Sequence, residues 1–363
     1  MRIAQIAPLA ESVPPKTYGG IERVVHYLTE DLVSLGHDVI LFASGDSRTK
    51  ADLVSIVKAS LRTSSGGQDP VIRQLCQIAE VVRLSPKFDV LHFHTDFLHF
   101  PVCRFLNTPM VTTLHGRLDL PDYPMLFEEY NELPVVSISF AQRAPVPGAN
   151  WIDNVYNGTP LENYVFRDTP DNYFAFLGRL SPEKGPTDAI RIAQRLGVPL
   201  KIAAKIDAVD RDYFEKEVRP LLDDPLIEYI GEVDENGKNE LLGGARALLF
   251  PIAWPEPFGL VMTEAMACGT PVVARRNGSV EEVMRNGVSG FVVDDLDQAV
   301  AAAAKVDQID RRGCRRYFED HFSVRRMTEG YLQVYTQLIG ERQTAPSRSP
   351  FDLRPIHPHA RPI

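Results

Sequence analysis

Residues 247–275 read ALLFPIAWPEPFGLVMTEAMACGTPVVAR, and this stretch decides the fold class. It begins with a short apolar run of strand type and passes through a Pro/Gly turn into a helix predicted over residues 260–267. A second apolar strand, TPVVAR, follows the helix. Two strands joined by a helix in this way run parallel in a sheet that is covered by helices. The stretch therefore predicts an α/β fold with a mostly parallel sheet.

The same alternation of strand and helix extends over most of the chain and restarts once. One run begins with RIAQIAP and reaches WIDNVY, and a second begins with YFAFLG after a polar stretch. This repetition predicts two Rossmann-like domains that face each other across a cleft. We assign four segments: an N-terminal domain (1–160), a C-terminal domain (161–325), a helix with the first domain as its candidate packing surface (326–342), and a Pro-rich tail expected to be disordered (343–363).

Composition and charge exclude several classes of protein. With 44% hydrophobic and 24% charged residues, the 363-residue chain has the balance of an ordinary globular enzyme of two domains. A net charge of −9 argues against a broad nucleic-acid surface, while a local basic pocket for a small anion stays compatible.

Cysteine usage and the N-terminus bear on the compartment. The four cysteines are far apart and form no CxxC pair, which argues against a zinc ribbon or a disulfide framework: Cys76, Cys103, Cys268 and Cys314. The N-terminus lacks a secretory pattern, and no apolar run approaches the roughly 18 residues of a membrane span. We expect a cytoplasmic protein, and contact with the inner face of a membrane stays open.

Two glycine-containing motifs follow predicted strands, where sheets of this kind bind ligands, and the second of them also carries two cations. Residues 18–22 (YGGIE) open the first helix, and paired glycines with free amides suit a phosphate; a plain helix-entry turn is the alternative. Residues 178–185 (GRLSPEKG) carry Arg179 and Lys184, which can converge on a diphosphate; a solvated basic loop is the alternative. No GxGxxG occurs, and GEVDENGKN at 231–239 has the wrong spacing for a P-loop and lacks its Ser/Thr.

A third motif places two carboxylates seven residues apart. Glu256 lies in the Pro/Gly turn after ALLFPI, and Glu264 lies one to two turns into the next helix. Carboxylates accept hydrogen bonds in pairs, which matches the vicinal hydroxyls of a sugar or a ribose. An exposed helix charge is the alternative for Glu264, but its neighbours 265–268 have a buried character, and a carboxylate among them needs a partner.

In this order, the three motifs closely resemble those of the retaining glycosyltransferases of family four, and the resemblance covers about residues 1–340. It implies the GT-B fold, two Rossmann-like domains with a deep cleft. It also implies transfer of a hexose from a nucleotide diphosphate sugar to a carbohydrate, lipid or natural-product acceptor, and no cofactor is expected. Uracil is the expected donor base, with guanine and adenine as alternatives. The acceptor and the oligomeric state carry no signal in the sequence.

The resemblance implies roles for individual residues. Arg179 and Lys184 would bind the diphosphate, and Glu256 would hold hydroxyls of the donor sugar. His115, in TLHG, would lie near the reacting end of that sugar, completing the implied catalytic set. Glu264 would bind the ribose, and the remaining donor-binding positions are Gly19, Gly20, Val233, Phe258, Gly259 and Leu260. Asp96 is a weaker candidate for acceptor contact, and AAKIDAVD (203–210) stands where the family often has a Gly-rich turn.

Two further patterns are weighed as metal sites. His92 and His94 alternate on one strand and His99 follows, but no acid or thiol accompanies them, so a polar strand end facing the cleft is the preferred interpretation. The D-x-D patterns at 210–212 and 295–297 stand at predicted helix starts, where acids favour the dipole, and we interpret them as caps. No metal is therefore expected.

Other functions on the same architecture stay open. A sugar-nucleotide epimerase would act without an acceptor, and a phosphorylase would need a pyridoxal-bearing lysine. A protein that binds nucleotide sugars without catalysis is the other alternative, although the full set of cations and paired glutamates argues against it. A dehydrogenase is disfavoured because the glycine fingerprint is missing.

Overall fold

The computed structural model describes residues 1–16, 19–62, 67 and 69–344, with the backbone alone for 343 and 344. It contains two parallel sheets joined by a single chain, so the predicted α/β class with two Rossmann-like domains is confirmed. Tyr18 of the first motif and residues 345–363 lie outside the described residues. The prediction of a disordered tail therefore stays a prediction.

The first domain is built on a sheet whose strand order is β3-β2-β1-β4-β5-β6-β7, with every pairing parallel. Its central strands are apolar and buried because helices cover both faces. The order reverses between β1 and β4, and a ligand crevice opens at such a switch point. The strands are β1 (Arg2–Ile6), β2 (Asp38–Phe42), β3 (Asp52–Val54), β4 (Val90–Phe93), β5 (Met110–Thr113), β6 (Val135–Ser137) and β7 (Trp151–Asn154).

The second domain repeats this plan with the order β10-β9-β8-β11-β12-β13, again parallel throughout. Its switch point lies between β8 and β11, and the GRLSPEKG and EPFG motifs follow those two strands. The strands are β8 (Phe174–Arg179), β9 (Leu200–Lys205), β10 (Ile227–Gly231), β11 (Ala247–Phe250), β12 (Val272–Arg275) and β13 (Gly290–Val293).

Helices connect successive strands and cover the sheets. They are α1 (Gly20–Ser34), α2 (Pro70–Leu84), α3 (Phe100–Cys103), α4 (Tyr123–Glu129), α5 (Pro186–Leu196), α6 (Arg211–Tyr213), α7 (Glu235–Gly244), α8 (Leu260–Ala267), α9 (Val280–Val283), α10 (Leu296–Ala303), α11 (Arg311–His321) and α12 (Val324–Thr344). None of those in the described part of the chain combines the length and the apolar character that crossing a membrane requires.

The helical segment between β9 and β10 is irregular. It begins as α6, passes into a π-helical stretch at Phe214–Val218 and ends in a 3₁₀ turn at Arg219–Leu221. Pro220 lies in that final turn and has no N–H to donate, so the regular hydrogen-bond ladder does not continue through it.

The last helix crosses back to the first domain. On α12, Tyr331 and Tyr335 are fully buried in a cluster with residues of β1 and α1. Their hydroxyls meet polar groups of the first sheet, since Thr113 donates to Tyr331 and Gln5 donates to Tyr335. The helix therefore joins the second domain to the back of the first.

A second tie between the domains lies on α9. The Glu282 carboxylate accepts the backbone N–H of Phe140 at 2.7 Å and that of Ala141 at 2.6 Å. The Tyr156 hydroxyl also donates to it, at 3.2 Å. This carboxylate therefore holds a loop of the first domain against the second.

Candidate active site

The two switch points face one cleft of about 620 Å³ that both domains line. Residues from loops more than 200 positions apart in the chain meet there. The structure brings together all twelve residues that the sequence nominated: Gly19, Gly20, Asp96, His115, Arg179, Lys184, Val233, Glu256, Phe258, Gly259, Leu260 and Glu264.

Backbone groups form the first domain's side of the cleft at the start of α1. Gly19 has φ 151°, and a Cβ there would lie 2.7 Å from the Pro15 side chain, so no other residue fits this turn without a shift. Glu22 places a buried carboxyl at the same helix start. Burial raises the pKa of Glu22, although the Glu22 and Glu11 backbone amides oppose that shift. The turn brings amides and a carboxyl group to one point of the cleft wall.

Two neutral histidines continue this wall. His115 Nε2 lies 2.9 Å from His94 Nδ1, and His94 Nε2 lies 2.8 Å from Gln5 Oε1. Burial lowers the pKa of His115 to about 3 and holds the pKa of His94 well below its usual range. Both rings are therefore uncharged at neutral pH.

His92 and His99 are core groups, so the prediction that the strand end with His92 and His94 faces the cleft is wrong for His92. His92 is fully buried between the Tyr335 and Thr113 hydroxyls, each 2.7 Å from one ring nitrogen. His99 stacks on Phe93 with 3.9 Å between ring centroids. Within the described ranges no group of three or more His, Cys, Asp or Glu side chains could hold a metal ion.

On the second domain's side, the second cation of GRLSPEKG meets the first glutamate of the E-x7-E pair. Lys184 Nζ lies 2.5 Å from Glu256 Oε2, and the same oxygen accepts the Trp254 indole N–H at 3.0 Å. Lys184 also lies over the Trp254 ring, 5.1 Å from its centroid. Glu256 is only 8% exposed, so its charge needs this partner. The arrangement offers a cation and a carboxylate to one ligand.

The other cation of the motif is surrounded by acids. Arg179 donates to Glu183 at 3.0 Å and lies 3.5 Å from both Asp207 and Asp210. The two aspartates belong to AAKIDAVD, the segment that stands in place of a Gly-rich turn. A diphosphate bound at Arg179 would have to compete with these carboxylates.

The cap interpretation of the D-x-D patterns holds at one site and is wrong at the other. Asp295 accepts the backbone N–H of Gln298 at 2.8 Å and caps α10. Asp210 makes no side-chain hydrogen bond to the start of α6, since its carboxylate faces Arg179. The attraction of a nearby cation outweighs the hydrogen bonds that the start of a three-residue helix could offer.

The second glutamate lies in a buried charge network. Glu264 is 5% exposed and accepts from Lys238 Nζ at 2.5 Å and from the Tyr164 hydroxyl at 3.1 Å. Lys238 also lies 2.8 Å from Glu235, and Glu235 accepts in turn from Arg23 of the first domain. Burial opposes the charge of Glu264, but Lys238 and Arg23 outweigh it, so the pKa of Glu264 is lowered. The predicted alternative of an exposed helix charge is wrong.

Sequence reasoning missed Lys238 and Arg23. Lys238 belongs to the stretch rejected as a P-loop. The sequence did carry a helical signal there, because Leu241 and Leu242 follow Lys238 at spacings of three and four. This spacing puts Lys238 on the buried face of α7. A lysine on such a face requires an acidic partner. Arg23 gave no local signal, because its contact with Glu235 exists only once the two domains meet.

Comparisons with known proteins identify the family of both domains. The family model described as "Glycosyl transferases group 1" matches residues 163–313, and the one described as "Glycosyltransferase Family 4" matches residues 18–152. Together they span both domains. A glycogen synthase of Mycobacterium tuberculosis is 27% identical in an alignment that covers 96% of this chain and 97% of that protein.

Solved structures share the whole architecture. AviGT4, a glycosyltransferase involved in avilamycin A biosynthesis, superposes with a TM-score of 0.72 at 25% identity, over 94% of this chain and 98% of that one. Anabaena Alr3699/HepE, solved in complex with UDP and glucose, superposes with a TM-score of 0.72 at 18% identity, over 93% of this chain and 100% of that one. This chain therefore belongs to glycosyltransferase family four and has the GT-B fold.

Proposed function

We propose that this glycosyltransferase moves a hexose, with retention of configuration, from a nucleotide diphosphate sugar to a hydroxyl of its acceptor. One observation carries the proposal: Lys184 and Glu256 form a close pair in the same cleft as the Gly19–Gly20 amides and His115. Uracil is our first expectation for the donor base. The UDP and glucose in the Anabaena complex support that choice.

The departing diphosphate would be stabilised by Lys184, Arg179 and the amides at the start of α1. Breaking the bond between the sugar and the phosphate develops negative charge on the diphosphate and positive charge on the ring. At an effective dielectric constant of 20, a unit charge about 4 Å away contributes roughly 4 kcal/mol before desolvation costs. Groups fixed in place before the reaction need no reorganisation, so they lower the barrier efficiently.

The bond changes follow from retention. The bond between the anomeric carbon and the phosphate oxygen breaks, and its electron pair leaves with the diphosphate. The acceptor oxygen bonds to the same face of the anomeric carbon, and its proton passes to the leaving phosphate oxygen. Glu256 already pairs with Lys184 and Trp254, so we assign it to hold sugar hydroxyls rather than to attack carbon.

The glutamate of α8 would bind the nucleoside. Glu264 is held in its charged form by Lys238, and a fixed carboxylate accepts both hydroxyls of a ribose. Val233 lies on the same side of the cleft and would contact the base. Asp96 lines the first domain's side, where we place the acceptor.

A panel of nucleotide sugars tests the proposal in two steps. Thermal shift ranks the donors, and release of nucleotide is then followed with candidate acceptors in the presence of a chelator. We expect stabilisation by one donor and acceptor-dependent release that the chelator does not abolish. Conversion of the donor without acceptor would favour the epimerase, and tight binding without release would favour a binding protein. Loss of all release on chelation would contradict the metal-independent mechanism.

A further inference from the structure

A buried chain of polar groups runs from the C-terminal helix to the cleft. Tyr335 of α12 accepts from Gln5 Nε2 at 2.9 Å, and Gln5 Oε1 faces His94 Nε2 at 2.8 Å. His94 Nδ1 then faces His115 Nε2 at 2.9 Å. Tyr335 and Gln5 are fully buried, and His94 is only 2% exposed. We call these four residues, Tyr335, Gln5, His94 and His115, the histidine relay.

The amide of Gln5 gives the relay a direction. Its nitrogen donates to Tyr335, so its oxygen is the atom that faces His94 and can only accept. His94 must therefore carry its proton on Nε2. Because burial keeps this ring neutral, its Nδ1 has no proton and accepts from His115.

The same logic fixes the cleft histidine. His115 donates through Nε2–H to His94, and a neutral imidazole has one proton, so Nδ1 of His115 is a bare acceptor. The ring lines the cleft. A hydroxyl group of a bound ligand would find an acceptor at Nδ1, not a donor.

We propose that Gln5, with Tyr335 behind it, is a positioning residue that sets the tautomer of His115 and so makes the cleft histidine an acceptor of a donor-sugar hydroxyl. Neither residue lines the cleft, and both act through His94. The role in sugar binding rests on the proposed function, whereas the tautomer itself is a property of the protein without ligand.

Histidine-selective ¹⁵N labelling tests the tautomer directly. Long-range proton–nitrogen correlations distinguish protonated from bare ring nitrogens, and a His115→Gln variant assigns the signals of His115. We expect Nε2 of His115 to carry the proton and Nδ1 to be bare in the wild-type protein. A proton on Nδ1 in the wild type overturns the proposal, whatever the enzyme's activity.

Two substitutions at Gln5 separate positioning from mere packing. Gln5→Leu removes the acceptor from His94, so we expect a mixture of both His115 tautomers and about a tenfold loss in kcat/KM for the donor, mostly through KM. Gln5→Glu keeps the acceptor for His94, because burial favours the neutral carboxylic acid. The carbonyl of that acid accepts from His94, and its O–H donates to Tyr335. We expect this variant to retain the wild-type tautomer and activity within about threefold. If packing alone mattered, the apolar leucine would be tolerated at least as well as the acid, and that result would overturn the proposal.

Two tyrosines on α12 provide a matched pair should the Gln5 variants fold poorly. Tyr335→Phe releases the Gln5 amide, so we expect some population of the second His115 tautomer. Tyr331→Phe removes an equally buried hydroxyl that accepts from Thr113 and does not touch Gln5. We expect it to leave His115 unchanged, and identical His115 spectra in the two variants would contradict the relay.

If no nucleotide sugar is turned over by the wild type, the proposed function fails, while the spectra still decide the tautomer.

Discussion

The groups that would hold the donor are uncharged on the first domain's side of the cleft and charged on the second domain's side. The first domain contributes backbone amides at Gly19–Gly20 and the neutral rings of His94 and His115. The second domain contributes charges that are already paired, Lys184 with Glu256 and Lys238 with Glu264. A buried charge whose partner is removed is far less stable than a neutral group that loses one hydrogen bond. We therefore expect substitutions on the second domain's side to have the larger effects.

Lys184→Ala should have the largest effect on turnover. It removes the charge nearest to Glu256 and, in the proposed function, the main cation on the leaving diphosphate, so we expect kcat for nucleotide release to fall about 10²–10³-fold while the fold persists. Lys216→Ala is the matched control, because that lysine belongs to the same domain and its side chain is 73% exposed. Turnover close to the wild-type value in Lys184→Ala would contradict the assignment of the second domain's charges to catalysis.

The two glutamates should separate in a binding experiment without sugar. We expect Glu264→Ala to weaken the affinity for the bare nucleotide about 10–30-fold, because a charged acceptor is lost at the ribose. Glu256→Ala should change it less than about threefold and instead reduce the discrimination between donor sugars. Calorimetry with the free nucleoside diphosphate measures both variants. An equal loss of nucleotide affinity in the two variants would contradict the proposal that Glu264 binds the ribose and Glu256 binds the sugar.

The sequence was sufficient to predict that Glu256 and Glu264 line the cleft. It was only partly sufficient to predict which residues pair with them. The predicted strands next to the cleft, now β1, β8 and β11, were found where apolar runs placed them, because strand formation and burial depend on local composition. The motifs after those strands meet in one cleft, since parallel strands end at the same sheet edge. Lys238 could have been found from its position on the buried face of α7, but Arg23 could not. Its partner Glu235 lies 212 residues away in the other domain.

The errors have the same physical origin. His92 and Asp210 were interpreted from their own strand or helix, as a cleft group and as a cap. In the structure, each meets a partner that arrives from elsewhere in the chain, Tyr335 of α12 and Arg179 of β8. A polar side chain satisfies the nearest strong partner in space, and the sequence does not show which partner that is.

Acid should destabilise the first domain before the second. His99 is fully buried and neutral, with a pKa lowered to about 3 by desolvation, whereas the unfolded chain takes up a proton below pH 6.5. Stability from such a group is present above pH 6.5 and is lost as the pH falls towards the lowered value, by roughly 2 kcal/mol between pH 6.5 and 5. Glu264, whose pKa is lowered from 4.5, starts to lose its contribution only below about that pH.

Urea unfolding at pH 7 and pH 5 measures this difference. We expect the wild type to lose stability between the two conditions and His99→Gln to lose roughly 2 kcal/mol less, since glutamine does not titrate. Glu264→Gln should leave the change between pH 7 and 5 as it is in the wild type, because its carboxylate stays charged throughout that range. An unchanged pH response in His99→Gln would mean that this ring does not carry the acid sensitivity of the first domain.

The smallest effect is expected at Glu282, where the two domains meet. Here too the second domain contributes a charged group and the first domain contributes neutral ones. Glu282 of the second domain accepts two backbone N–H groups of the first, and glutamine offers one oxygen in place of two, so one N–H loses its acceptor. We expect Glu282→Gln to lower the free energy of unfolding by about 1 kcal/mol and to leave kcat within twofold. Glu281→Gln is the adjacent control, because Glu281 pairs with Arg276 of its own domain on the surface. If thermal unfolding and turnover were the same in both variants, the contact between Glu282 and the first domain would add nothing to the closure of the cleft.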